Sequence, residues 1–335
     1  MLATMAVPAG SAVPVPVGSA VGMGGLSDRI NAALDDFVAT RLSAGGGAEG
    51  AAGRDGGSAG SSARTGRRSG GRSLRPAFCY WGWRVFEGDP GSKAIITVAA
   101  AIELMRRYAA VGRCLAWCGE MFYGCGLPDS RLQAGSLALR LTQAEAKSGE
   151  YLRVGQPSRA ARSGGVGGAR AVRAPIGYPG AGYGVLRPLQ IGAMLAGADT
   201  GQVQAWEAFA LPLGEAFALR EDVAGAFGGA TATGRAAGDD LRDGKATVLI
   251  AIASRQATAS QRAEIEELYG SPGLDAGGRE RLRSIIARSG ALAVVEDRII
   301  GLVDDSLRAL ERLPAPGDIK EVLSSRAFAA FCGAA

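Results

Sequence analysis

The stretch LPLGEAFALREDVAGAFGGATATGRAAGDDLRDGKAT, residues 211–247, decides how the rest of the chain is read. Trp206, Phe209, Leu213 and Phe217 follow helical steps toward Glu221. That period predicts an apolar helix with an acidic pair, Glu221 and Asp222, late in it. A Gly/Ala/Thr-rich turn follows, then a second charged cluster: Arg235, Asp239, Asp240, Arg242, Asp243 and Lys245. Carboxylates take Mg²⁺, and Arg and Lys take phosphate oxygens directly. A charged loop between helices also serves as plain solvated surface, and spacing alone leaves both readings open.

Working outward, two further stretches stand in a fixed order with this one: GGRSLRPAFCYWGWR at 70–84 and YGVLRPLQIGAMLAG at 183–197. Together the three resemble the trans-isoprenyl diphosphate synthases, the polyprenyl synthetase family. That family carries GGKRLRP near its start. Its second aspartate-rich region reads roughly LG-x-x-FQ-x-x-DD, then GK-x-x-GxDL-x-x-GK-x-T. The resemblance implies an all-α fold, a many-helix bundle of the isoprenoid synthase type. It also implies condensation or binding of prenyl diphosphates with Mg²⁺ as cofactor, in isoprenoid biosynthesis.

Residue by residue, the resemblance implies diphosphate binding by Arg72, which stands for the family's Lys, and by Arg75, its last Arg. Arg235 stands for a diphosphate-binding Lys, and Lys245 matches directly. Metal binding falls to Glu221, which replaces the first Asp of the region, to Asp222, its second, and to Asp239. Gly225 stands where many relatives have a third Asp, Ser73 where a further Arg usually stands, and Ala218 at the Gln of FQ. No residue presents itself as a catalytic acid, base or nucleophile.

The larger departure lies upstream. AAAIELM at 99–105 resembles the family helix that leads into a first aspartate motif. Here it runs on into RRYAAVGRCLAWCGEMF, and no Asp occurs between Asp89 and Asp129. A Lys-Thr pair that relatives place before the segment matching YGVLRP is Pro179-Gly180 here. A unit charge pair at ~4 Å is worth roughly 4 kcal/mol at an effective dielectric near 20, and about 1.4 kcal/mol is tenfold in rate. One missing metal-holding jaw therefore predicts slow or absent chain elongation. Two classes of function follow: a divergent prenyltransferase, or a non-catalytic subunit that pairs with an active synthase. The resemblance implies a homodimer, or a heterodimer with a related synthase.

The remaining segments set the frame. Of 335 residues, 47% are hydrophobic and 21% charged, with 52 Gly and a net charge of +5. The Gly excess concentrates before residue 75 and in 155–185, so the folded part is smaller than the length suggests. Residues 1–25 lack any period and read as a disordered tail. Residues 26–43 read as a first helix with Ser27 as N-cap. Residues 44–73 read as a Gly/Ser/Arg-rich flexible linker, and 74–333 as the helical domain, with a loop at about 155–182 where Pro157, Pro175 and Pro179 exclude a regular helix. Without interleaved aromatic residues the Arg-rich linker gives no case for nucleic acid.

Helices are expected over 128–152, with Leu132, Leu137, Leu139 and Leu141 as its apolar set, and over Gln261–Tyr269 and Glu280–Arg288, split by a PGLDAGG turn. A stripe of Leu292, Val295, Ile299, Leu302, Val303, Leu307 and Leu310 predicts a long amphipathic helix, and Asp318 is expected to cap a last one. The chain has no His, and its five Cys (79, 114, 118, 125, 332) have neither disulfide-framework nor zinc spacing. They read as small buried apolar residues. No signal peptide or membrane span is expected, and the reading is cytoplasmic.

Overall fold

The computed structural model describes residues 23–45, 74–107, 114–154, 182–228, 238–245 and 247–332. Most of the expected tail, of the linker over 44–73 and of the expected loop falls outside the described residues, as do Arg72 and Arg235; residues 23–25 and 44–45, expected in the tail and the linker, are helical instead. The described residues contain helices and no strand. In chain order they are α1 (Met23–Gly45), α2 (Leu74–Val85), α3 (Lys93–Arg107), α4 (Cys114–Tyr123) and α5 (Asp129–Val154). A π-turn, Gly182–Leu186, runs into α6 (Arg187–Ala196). Then come α7 (Thr200–Ala205), α8 (Glu207–Phe227), α9 (Asp239–Asp243), α10 (Val248–Gln256), α11 (Ala259–Leu268), α12 (Ala276–Arg288), α13 (Ala291–Arg312) and α14 (Gly317–Cys332). Among the described residues no helix is long and apolar enough to cross a membrane.

Two helix pairs carry the bundle. α2 lies against α6, and α8 against α13. The first contact is set by glycine. A Cβ on Gly82 would overlap the Leu189 carbonyl, and one on Gly192 would overlap the Cys79 carbonyl. The two backbones therefore touch where only glycine fits. The aromatic run of α2 is buried as its composition demands: Phe78, Tyr80, Trp81 and Trp83 all lie in the core. The second pair is held by the predicted stripe of α13, with Val295, Ile299, Leu302, Val303 and Leu310 buried. Three polar links stitch the same pair: Ser306 Oγ donates to the Phe209 carbonyl at 2.9 Å, Arg220 pairs with Glu296 at 2.6 Å, and Arg298 with Glu215 at 3.0 Å.

Several local expectations are corrected. α1 begins at Met23, so Ser27 lies inside the helix and is no cap. α14 begins at Gly317, which puts Asp318 in its first turn. PGLDAGG is only partly a turn: the Asp275 side chain accepts the Gly278 N–H at 2.6 Å and starts α12 at Ala276. Thr258 and Gln261 form a reciprocal capping box that starts α11 at Ala259. On α5, Leu137 and Leu141 are exposed, and Glu145 is half-buried and paired with Arg187 of α6 at 3.0 Å.

Candidate functional site

α8 brings Glu221 and Asp222 to its last turns, but consecutive helical residues diverge by about 100°. Glu221 is exposed to solvent. Asp222 is turned inward and its side chain is 1% exposed. Facing it is the short α9, which starts after Gly238 and stops at Gly244, both in the left-handed conformation that favours glycine (φ 80° and 65°). α9 buries Asp240 and Leu241 and leaves Asp239 on the side of Arg242, with which it pairs at 3.2 Å.

The lysine that follows Gly244 closes the corner. Lys245 Nζ donates to Asp222 Oδ1 at 3.0 Å and to Asp240 Oδ2 at 3.2 Å. Its own backbone is fixed from both sides: its N–H donates to the Asp240 carbonyl at 3.1 Å, and the Tyr269 hydroxyl donates to its carbonyl. Gly270 N–H donates to the Leu241 carbonyl at 2.9 Å, so the end of α11 carries α9. Thr247 accepts the Ile250 N–H at 3.2 Å and starts α10. Arg283 of α12 donates to the Ala226 carbonyl at 2.8 Å, satisfying one terminal carbonyl of α8.

Gly225 is the spacer that permits this. A Cβ there would overlap the Asp240 carboxylate. The side chain that many relatives are expected to place on α8 is absent, and the carboxylate of α9 occupies that room.

Burial pulls the Lys245 ammonium down, but Asp222 and Asp240 outweigh it, and the net effect holds it above its ordinary value. Burial, then the charges of Asp240 and Asp222, push the Tyr269 phenol up, so it stays a neutral donor.

Arg75 lies elsewhere in the bundle, at the start of α2. Its guanidinium stacks 4.6 Å over the ring of Tyr183 in the π-turn. Its Nε is buried and makes no hydrogen bond among the described residues. Burial raises the Tyr183 phenol, and Arg75 opposes that shift. Nearby on α3, Glu103 is fully buried.

Of the expected site residues, the structure therefore joins Asp222 to Lys245. It places Asp239 next door on α9, Glu221 on the surface and Arg75 at the π-turn. Asp240 and Tyr269 were missed. The signal for Asp240 was in the text: G-x-D-L laid on Gly238–Leu241 puts its Asp on Asp240. Tyr269 had no such signal, because only folding brings it to the loop. A divalent ion fits this set poorly. Among the described residues no three acidic or Cys side chains are grouped so as to hold one, and the two carboxylates that converge enclose an ammonium.

Upstream, α3 ends at Arg107 and α4 begins at Cys114. Residues 108–113, which join them, contain no acidic residue. Cys114 Sγ donates to the Leu104 carbonyl at 3.5 Å, and Cys79 and Cys118 are fully buried, as small apolar residues would be.

Residues 178–286, from before the π-turn through most of α12, match the family model for polyprenyl synthetase. A geranylfarnesyl diphosphate synthase of Aeropyrum pernix is 35% identical over 136 residues, which is 40% of this chain and 42% of that protein. The chain thus spans less than half the length of that relative by sequence. The fold match is wider. A geranylgeranyl pyrophosphate synthase from Corynebacterium glutamicum, solved with isoprenyl diphosphate and magnesium, superposes with a TM-score of 0.74 at 21% identity, over 91% of this chain and 97% of that one. A T. brucei farnesyl diphosphate synthase gives 0.70 at 14% identity, over 91% and 99%. At those identities the likeness establishes the fold.

Proposed function

We propose that this chain, a member of the polyprenyl synthetase family, is a prenyl diphosphate-handling protein of isoprenoid biosynthesis that grips its ligand at the α8–α9 corner. The observation that carries the reading is the Lys245 ammonium, held at 3.0 and 3.2 Å by Asp222 and Asp240 while its side chain stays 34% exposed. An ammonium has three N–H donors, and two are used among the described residues. The third is left to offer an oxyanion, with no reorganisation needed when the ligand arrives.

Mg²⁺ belongs in this reading as an ion that enters on the diphosphate. Mg²⁺ commonly takes one or two carboxylates and leaves the rest of its shell to water and substrate phosphates. Glu221 and Asp239 border the corner from which such an ion would be met. The described residues do not make a stand-alone site for it. Arg75 is the second proposed contact, pre-oriented by Tyr183, and Arg72 and Arg235 are proposed as further diphosphate ligands on the resemblance alone. Condensation is the reaction class the family relation suggests, and the acid-free 108–113 junction makes a slow one the expectation.

The test has two readouts. Pyrophosphate with Mg²⁺ is expected to raise the melting temperature of the purified chain, and Asp222→Ala to remove that rise. Isopentenyl diphosphate with an allylic diphosphate and Mg²⁺ is expected to give product slowly or not at all. No thermal shift in the parent protein would overturn the binding reading. Robust turnover that survives Asp222→Ala would overturn the choice of site.

A further inference from the structure

The π-turn that carries Tyr183 has little local support. Two of its five residues, Gly182 and Gly184, are glycine, which costs conformational entropy in any helical backbone. The turn runs straight into α6, with Leu186 already helical (φ −61°, ψ −52°). Pro188, in the first turn of α6, has no N–H to donate back to the Gly184 carbonyl. Side chains hold the turn instead. At one end the Arg75 guanidinium of α2 lies 4.6 Å over the Tyr183 ring. At the other end Arg187, the first residue of α6, reaches α5: its Nε donates to Glu145 Oε1 at 3.0 Å. Arg187 Nη1 donates to Gln190 Oε1 at 2.9 Å, and buried Gln190 donates in turn to Glu207 of α8 at 3.5 Å. The Arg187 and Glu145 side chains are 21% and 27% exposed, so the pair is only partly screened by solvent. A Cβ on Gly182 would lie 3.6 Å from both Glu145 carboxylate oxygens. Glu145 thus meets the first residue of the turn as well as the residue that follows its last.

We propose that Glu145 and Arg187 are positioning residues: their ion pair clamps the π-turn, and the clamped turn holds Tyr183 against Arg75 and so sets the aim of that guanidinium. Neither residue touches the ligand. This role rests on the reading of Arg75 as a diphosphate contact; the clamp on the turn does not. With the pair broken, a turn built on two glycines and followed by proline has only the Arg75–Tyr183 stack to keep its shape, and the stack loosens with it. The α8–α9 corner, held by its own contacts, stays as it is.

Two measurements on the full chain test this. Amide hydrogen exchange without ligand reads the clamp. Glu145→Ala is expected to speed exchange over residues 182–187 at least about tenfold and to leave 239–245 unchanged. Glu145→Gln, which keeps the shape and removes the charge, is expected to fall between, and it takes the place of Glu145→Ala if that variant does not fold. Unchanged exchange over 182–187 would overturn the clamp, whatever the chain binds. Calorimetric titration of isopentenyl diphosphate with Mg²⁺ reads the positioning. Glu145→Ala is expected to weaken binding about threefold or more, and to change it by less than about twofold when Arg75→Lys has already removed the planar stack. An equal loss in both backgrounds would mean that the pair acts on the fold rather than through Arg75, and would refute the positioning role. No binding to the parent chain, with fast exchange in Glu145→Ala, would overturn the reading of Arg75 and the positioning role with it, and would support the clamp.

Discussion

Lys245 is the residue at which charge, backbone and packing meet. Removing one partner of a buried pair costs about 3–5 kcal/mol. With a third of its side chain in solvent, Lys245→Ala is expected to cost less, about 2–4 kcal/mol in chemical denaturation. Gly225→Ala is expected to destabilise by about 1–3 kcal/mol by pushing Asp240 off the ammonium. The pH dependence has a definite sign. Lys245 and Tyr269 have folded-state values above their unfolded ones, so their contribution is full below about pH 10 and lost as pH rises through the folded values. The thiols behave alike at lower pH: burial pushes Cys118 up to about 12 and raises Cys79 as well. Stability should therefore hold to about pH 8.5, then fall in two stages. Urea midpoints from pH 7 to 11 should show the later stage shallower in Tyr269→Phe. An unchanged slope would mean that the Tyr269 hydroxyl does not support the Lys245 backbone.

At the scale of elements, the contact that decides the architecture is α2 against α6. Gly192→Ala would drive a methyl into the Cys79 carbonyl, which is backbone and cannot swing aside. A loss of about 3 kcal/mol or more in unfolding free energy is expected, against a near-neutral Gly119→Ala, where nothing lies within 4 Å. This scale also shows what a sequence can carry. The stripe of α13 and the aromatic run of α2 were legible because burial repeats at the helical period. The start of α1 and the outward turn of Leu137 and Leu141 were not. Those depend on which neighbour covers a face, and composition does not say. The choice between Asp239 and Asp240 is of the same kind: adjacent acids on a helix differ only in rotation, and the packing of Leu241 sets the rotation.

At the scale of the molecule, the helices build the isoprenoid synthase fold around an interrupted charge distribution. One corner keeps Asp222, Asp240 and Lys245. Residues 108–113, between α3 and α4 in sequence, supply no acid. The fold was readable from three motifs in order, and the corner in part. What the motifs could not show is that Lys245 pairs with both Asp222 and Asp240. If several divalent ions normally share the leaving charge, losing even one should cost powers of ten in rate at roughly 1.4 kcal/mol each, while ligand binding by the proposed ammonium contact is expected to survive. The most direct measurement is calorimetric titration of an allylic prenyl diphosphate, with Mg²⁺, into the full chain and into Lys245→Met. The account predicts stoichiometric binding to the parent and at least about tenfold weaker binding to the variant, the loss of one charge-assisted hydrogen bond. Equal affinity in both proteins, or no heat in the parent, would contradict it.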